Sequence, residues 1–247
     1  MDVHVFQSRE EAGRAAAERL AEEIRRLSRK RKRAAGLFAS APSQAEALAS
    51  LTRQPGIDWS RLTVFHLDEY LGFDEKHPQS FRRFLREHLV DRVGVGCFHG
   101  ICGEAAAAGD ECARYAELLR KNPPDFALIG IGENGHLAFN DPPVADFRDP
   151  LRVKVVELDA RCRRQQVNDG LFGSLEDVPT RAITLTIPEI FRVPAIFVVV
   201  PGSRKREAVE ATLFGEISEA CPASILRAHE RVELFLDVDS APPGWRR

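Results

Sequence analysis

A doubly wound α/β fold, with a mostly parallel sheet in a single domain, is predicted by three features of the sequence. Strand-like and helix-like patterns alternate from one end of the chain to the other. Several strand-like runs, among them Ala34 to Ala39, Ala127 to Ile131 and Ala195 to Val200, are apolar without alternation, as strands covered on both faces must be. Each of these runs stops abruptly in a polar loop containing glycine, serine or proline, and in open parallel sheets ligands bind at such strand ends.

Taken in order, Val3 to Phe6 reads as a short strand, and Ser8 as the N-cap of a helix reaching about Ser28, with Glu11 three residues on completing a capping box. Seven basic residues lie between Arg25 and Arg33; cations suit a helix C-terminus, so a solvated helix end explains them better than a nucleic-acid surface. Ala34 to Ala39 is the second strand. Ser40 to Gln44 then open a helix reaching about Thr52, with Pro42 in the first turn and Ser40 or Ser43 as its cap. Arg61 to Leu67 is a third strand and runs into His66-Leu67-Asp68-Glu69-Tyr70. Gln79 to Val93 and Glu104 to Lys121 read as packing helices, the first with Phe81, Phe84, Leu85, Leu89 and Val93 on one face. Beyond the central strand come a strand over Leu151 to Leu158, a short helix carrying Arg161, Arg163, Arg164, Gln165 and Gln166, and strands over Arg181 to Thr186 and Ala195 to Val200. Pro201 to Lys205 opens a last helix, Leu234 to Leu236 closes the sheet, and the tail APPGWRR is expected to fray. No internal repeat, linker or shift in composition divides residues 1–247, which therefore read as one domain.

The whole-chain properties restrict the function. A chain of 247 residues with 44% hydrophobic and 29% charged residues can bury a substantial core and stay soluble. A net charge of −2 gives no general attraction to nucleic acid or membranes, so an anionic ligand must be held by local groups. The five cysteines are odd in number and contain no C-x-x-C pair, which suggests neither a disulfide framework nor a zinc site; reduced thiols in the cytoplasm are expected, and no metal. The N-terminus MDVHVFQSREE lacks a basic region followed by an apolar segment, and no apolar run reaches 18 residues, so neither secretion nor membrane insertion is expected. Met1 to Arg33 is a candidate contributor to a homo-oligomer interface.

The chemistry concentrates in DFALIGIGENGHLAFNDPP, residues 125 to 143. Gly130, Gly132 and Gly135 let the backbone turn sharply and approach a ligand, while Glu133, Asn134, His136, Asn140 and Asp141 supply donors, acceptors and a group that titrates near neutral pH. A glycine turn with a solvated histidine is the plain alternative. Five polar groups crowded after a buried strand weigh against it. Asp68 and Glu69, two carboxylates directly after a buried strand, are costly unless solvated or employed. Ser40 and Ser43 at one helix N-terminus, and Ser203 to Lys205 at another, suit an anion, although capping alone also accounts for the serines.

Several separated motifs agree on a relationship. HLDEYLGF at 66 to 73, SFRRFLREHL at 80 to 89, IGIGENGHLAFNDP at 129 to 142, and PGSRKREAV followed by PASIL at 201 to 226 resemble the glucosamine-6-phosphate deaminase/isomerase family, to which 6-phosphogluconolactonases are related. The resemblance spans nearly the whole chain in motif order. It implies a Rossmann-like sheet and cofactor-free chemistry on an amino-sugar phosphate: the ring opens, a proton moves between C2 and C1, and ammonia leaves a ketose phosphate. LDEY favours the deaminase side over the lactonase side, where DER is the usual form. The resemblance implies that Asp68 carries the proton between carbons and that His136 is the ring-opening acid/base, flanked by Asn134 and Asp141; these four form the candidate catalytic set. Glu69 beside Asp68 acts by charge, and Ser40, Ser43, Gln44, Glu69, Gly135, Arg164 and Lys205 form the candidate substrate and phosphate set.

The chain also departs from that pattern. Asn134 stands where the deaminases generally carry Asp, as it does in members assigned to galactosamine-6-phosphate, and Asp141 replaces a longer Glu. The TGxTP-like loop is here ASAPSQ, without its glycines, and the phosphate arginine falls nearest to Gln165 and Gln166, with Arg163 and Arg164 close by. Arg152 and Lys154 match basic residues of an effector site found in some members, but Val144-Ala145 replaces its serine pair, so the same activator is not expected. The sequence supports an aldose–ketose isomerase/deaminase for a hexosamine 6-phosphate of glucosamine or galactosamine type. Two other readings remain: a 6-phosphogluconolactonase-type hydrolase with His136 activating water, which LDEY and FND oppose, and a non-catalytic sugar-phosphate sensor, which would not need Asp68 and His136 together.

Overall fold

Parallel strands need crossovers, and the chain supplies them mainly as helices. The computed structural model describes residues 1–245. Ten strands form in chain order: β1 (Asp2–Phe6), β2 (Ala34–Phe38), β3 (Leu62–His66), β4 (Asp68–Tyr70), β5 (Cys97–His99), β6 (Phe126–Ile129), β7 (Val153–Glu157), β8 (Arg181–Leu185), β9 (Ile196–Val200) and β10 (Val232–Asp237). Seven of them build an all-parallel sheet in the order β1-β10-β9-β6-β2-β3-β5. From β2 the chain winds outward through β3 to β5, then returns to the other side of β2 and winds through β6 and β9 to β10. The strand order therefore reverses between β2 and β6, the place where doubly wound sheets open a crevice beyond the strand ends.

The expected fold is observed, with one architectural correction. The stretches taken as further strands around 151–158 and 181–186 do not extend the main sheet. They pair antiparallel as β7 and β8, with β4 on the other edge of β8, in a separate three-stranded sheet. Alternation along these strands makes it a middle layer: Val153, Ile183 and Leu185 join the core under the main sheet, whereas Tyr70, Val156 and Ala182 face an outer aromatic cluster with Phe81 and Phe139. Two smaller differences follow. β5 was not anticipated, and the edge beyond β10 is closed by β1.

Among the described residues eight helices cover the sheets: α1 (Arg9–Lys30), α2 (Ala45–Leu51), α3 (Phe81–Leu85), α4 (Asp91–Val93), α5 (Ala108–Lys121), α6 (Ala160–Asn168), α7 (Ile187–Phe191) and α8 (Arg206–Phe214). α1 and α2 pack Ala12, Ala16, Leu20, Ile24, Leu48 and Leu51 on one face of the parallel sheet, and α5 buries Tyr115 and Leu119 on the other. The helix expected over 79–93 is interrupted by a π-turn at Arg86–Val90 between α3 and α4, and α5 starts four residues later than its expected first residue. Ser8 caps α1 as anticipated, its Oγ accepting from the Glu11 amide at 3.2 Å, while the Glu11 carboxylate accepts from Gln7 rather than closing the box on Ser8. The tail docks as far as it is described: Ala241 is buried and the Trp245 ring lies 5.9 Å from that of Phe214. Arg246 and Arg247 lie outside the described residues.

The basic stretch at the end of α1 is used partly in packing. Arg25 donates to the Pro55 carbonyl, Arg31 pairs with Asp125, and Arg26 joins Arg231 on the buried Glu23 at 2.6 and 2.8 Å. Burial pushes the Glu23 carboxyl up, but the hydrogen bonds and charges of Arg26 and Arg231 outweigh it and hold its pKa at about 2. A folded pKa below the unfolded value means that this contribution is full above pH 4.5 and is lost as the pH falls toward about 2. In urea unfolding, the advantage of the wild type over Glu23→Gln is expected to shrink across that window; a constant difference would show that folding does not lower the Glu23 pKa.

Candidate active site

The cleft opens at the point of strand-order reversal. It is walled by the loops that follow β2 and β6, by the start of β4, by α6, and by the 3₁₀ turn Ser203–Lys205 ahead of α8, and it holds about 630 Å³ including its mouth.

The loop after β6 is shaped around His136. The amide of Gly132 donates to the His136 carbonyl and that of Gly135 to the Gly132 carbonyl, both at 3.0 Å, and the imidazole lies directly over Gly132. A Cβ at Gly132 would meet ring atoms at 2.1–2.3 Å, so only glycine leaves room for the ring. His136 Nδ1 sits 2.7 Å from Asn134 Oδ1 and 3.0 Å from Asp141 Oδ1, and Asn134 Nδ2 donates to that same Asp141 oxygen at 2.7 Å. Two oxygen acceptors at Nδ1 hold a proton there and leave Nε2 without a protein partner. Burial pushes the Asp141 carboxyl up, yet the charge of His136 and hydrogen bonds from His136, Asn134 and Cys162 outweigh it, so Asp141 is held below its ordinary value.

Asp68 enters from the other side. β3 ends at His66, and with only Leu67 between them the chain starts β4 in the second sheet. Alternation along β4 turns the Asp68 side chain into the cleft, where it is buried and makes no hydrogen bond within the described residues. Burial first, then the charges of Glu69 and Asp141, push its pKa well above the ordinary value. Thr184 on β8 is the register partner of Asp68, and its Oγ1 accepts from the Phe139 amide at 3.1 Å. Asn140 Nδ2 adds a bond to the Leu185 carbonyl at 2.7 Å. One strand thus aligns both Asp68 and the His136 loop. Just ahead of the two anchor points, Ala138 adopts φ 52°, a left-handed conformation that costs a residue with a Cβ energy and is held by these bonds.

The far end of the cleft carries Ser40, Ser43, Gln44, Gln166 and Lys205. Lys205 is buried, has no hydrogen-bond partner within the described residues, and is the only lysine or arginine among the described lining residues. Burial lowers its pKa, against the raising charges of Asp169 and Glu133. Ser40 Oγ and Gln44 Oε1 are buried without partners, the Gln44 amide nitrogen being committed to the Val199 carbonyl at 3.1 Å.

Three expected site residues stand elsewhere. Glu69, one residue out of phase with Asp68, points away from the cleft and accepts from Ser80 Oγ and from the amides of Tyr70, Phe81 and Arg82, at 2.7–3.1 Å; it caps α3. Arg164 is exposed on α6, whose buried face presents Gln165 and Gln166 instead. Gly135 does not line the cleft; at φ 83° it turns the loop, and a Cβ there would meet Cys221 Sγ at 2.6 Å. Asn134 and Asp141 stand behind His136 rather than in the cleft wall. Arg152 and Lys154 are neutralised within the chain by Glu189 and Asp149, each at 2.8 Å. Thr184 and Cys162 were not singled out by sequence, being ordinary strand and helix residues there; Gln165, one of the two residues nearest the expected phosphate arginine, accepts on its Oε1 from the Glu133 amide at 2.9 Å and ties α6 to the histidine loop.

The fold and cleft define a class: α/β enzymes with proton-transfer side chains gathered at the carboxyl ends of a parallel sheet. Within that class, residues 7–235 match the family described as glucosamine-6-phosphate isomerases/6-phosphogluconolactonase, and the chain belongs to this family. It is 38% identical to a glucosamine-6-phosphate deaminase of Bacillus cereus (strain B4264) over 188 residues, covering 76% of this chain and 70% of the relative. It is 40% identical to the enzyme of that name from an Exiguobacterium species over 189 residues, covering 76% and 72%. Among solved structures, a monomeric glucosamine-6-phosphate deaminase of the NagB superfamily superimposes with a TM-score of 0.88 at 29% identity, covering 97% of this chain and 98% of that one. A 6-phosphogluconolactonase from Shewanella baltica shares the fold, with a TM-score of 0.79 at 18% identity over 96% and 97% of the two chains. Among the described residues no helix is long and apolar enough to cross a membrane.

The backbone at Gly132 lies outside the left-handed region, and the three atoms nearest to a Cβ there all belong to the imidazole. Gly132→Ala is expected to fold with nearly unchanged thermal stability while turnover falls about 10²-fold, the cost of displacing a reacting group by about 1 Å. Wild-type turnover in this variant would show that the ring position is unimportant.

Proposed function

We propose that this enzyme converts a hexosamine 6-phosphate, of glucosamine or galactosamine type, to the ketose 6-phosphate and ammonia. The observation that carries the reading is that a buried, unbonded Asp68 and a histidine held at Nδ1 by a carboxylate line one cleft. Both are registered on the same strand. In this reaction His136 Nε2 moves a proton between the C1 hydroxyl and the ring oxygen, opening the sugar. Asp141, held ionised, supports the imidazolium that forms, and Asn134 orients the ring without adding charge. Asp68 then takes the C2 proton and returns it at C1, and water releases ammonia from the resulting imine. Its raised pKa makes it a stronger base than an exposed carboxylate once ionised. Lys205, with Ser40, Ser43, Gln44 and Gln166, receives the phosphate. The relatives named glucosamine-6-phosphate deaminase support this assignment. Only side-chain acids and bases act in it. Reduced cysteines, a cytoplasmic location and a single 1–247 domain belong to the same reading.

Ammonia and ketose-phosphate release from glucosamine 6-phosphate and galactosamine 6-phosphate, with 6-phosphogluconolactone as control, tests the assignment; activity on the lactone alone would overturn it. Asp68→Asn is expected to lower kcat by about 10²–10⁴-fold with little change in ligand affinity, the usual span for a general base. Unchanged turnover would remove Asp68 from the mechanism. Lys205→Met is expected to raise KM by about 10–100-fold, hydrogen bonds to charged groups being worth about 1.5–3 kcal/mol, with a smaller effect on kcat. An unchanged KM would place the phosphate elsewhere.

A further inference from the structure

Behind His136, on the side away from the cleft, lies a buried side chain that the reaction does not use. Cys162, in the first turn of α6, is 1% exposed, and its Sγ, a ring nitrogen of His136 and a carboxylate oxygen of Asp141 all lie within 4.8 Å of one another. All three side chains are buried, and Asp141 Oδ2 is buried without a hydrogen-bond partner. Imidazole, thiolate and carboxylate are the ligand types that zinc selects, whereas magnesium and calcium demand shells of oxygen. Zinc bonds of about 2.0–2.3 Å at tetrahedral angles need ligand atoms about 3.3–3.8 Å apart. His136 Nδ1 and Asp141 Oδ1 are already at 3.0 Å, so the sulfur has to close by about 1.5 Å at most.

We propose that His136, Asp141 and Cys162 form an inhibitory site for a soft divalent cation such as Zn²⁺. Binding displaces the thiol proton to solvent and moves the imidazole proton from Nδ1 to Nε2. The nitrogen that faces the substrate becomes a fixed donor and can no longer take up a proton. The inhibitory consequence rests on the role proposed for His136; the binding itself does not. Cys162 touches no substrate in that reaction, so its removal separates metal sensitivity from turnover.

The experiment uses the full-length protein with zinc and cobalt salts as probes. Equilibrium dialysis is expected to give one high-affinity Zn²⁺ per chain, and Co²⁺ to produce a thiolate-to-cobalt absorption band in the near ultraviolet. Cys162→Val and the nearly isosteric Cys162→Ser are each expected to abolish that band, to weaken zinc binding at least tenfold, and to remove the zinc sensitivity of each variant's own metal-free turnover. In the wild type, Zn²⁺ is expected to suppress amino-sugar phosphate turnover and a chelator to restore it, while Mg²⁺ has no effect. Retention of the cobalt band and of zinc affinity in both variants would assign the metal to another cysteine and overturn the site. Loss of binding in the variants without zinc inhibition of the wild type would uphold the site and overturn instead the role given to His136. Should Cys162→Val fail to fold, the serine variant carries the same comparison.

Discussion

Strand β8 is the constraint on which the site depends. It belongs to neither of the elements that carry the reacting groups, yet it fixes both: Thr184 pairs with Asp68 across the ladder and takes the Phe139 amide on its hydroxyl, and the Leu185 carbonyl holds Asn140. The parallel sheet delivers the chain to the mouth of the crevice; the small antiparallel sheet then decides where the side chains stand. A one-residue slip of β4 on β8 would exchange Asp68 for Glu69 in the cleft and leave the α3 cap without its carboxylate. The burial of Thr184 and the dense bonding of Glu69 therefore guard the register of the site as well as the stability of the fold.

The two carboxyls of the site are driven apart by their surroundings. Asp68 has no hydrogen bond to favour its charged form and is pushed upward, while Asp141 has an imidazole and an amide beside it and is held downward. In the proposed reaction such divergence leaves one carboxyl able to accept a proton and the other a fixed charge. The same contrast separates Asp68 from Glu69, its neighbour in sequence, which burial also raises but which hydrogen bonds to the start of α3 oppose.

Much of this was legible in the sequence, and the remainder was hidden for identifiable reasons. Apolar runs such as Ala34 to Ala39 and Ala195 to Val200 announce buried parallel strands, and the loops after them announced Ser40, His136 and Lys205, which the structure brings together. β4 was hidden because a three-residue strand spelled Asp-Glu-Tyr carries no hydrophobic pattern, so Glu69 was placed in the site beside Asp68 until the pleat separated them. Arg164 was preferred to its neighbours by charge, but α6 is polar all round and gives no apolar stripe from which its phase can be read. Cys162 and Thr184 act through long-range neighbours, and nothing near them in sequence marks that role.

The solitary cation of the cleft sets how an anion is captured. The chain carries a net charge of −2, and Arg152 and Lys154 are spent on internal partners, so no broad positive field reaches into solvent. Attraction by Lys205 reaches about one Debye length, roughly 8 Å at physiological ionic strength, and added salt screens a buried ammonium less than it screens exposed charges. Discrimination between anions is thus exercised at contact, where the cleft holds that ammonium.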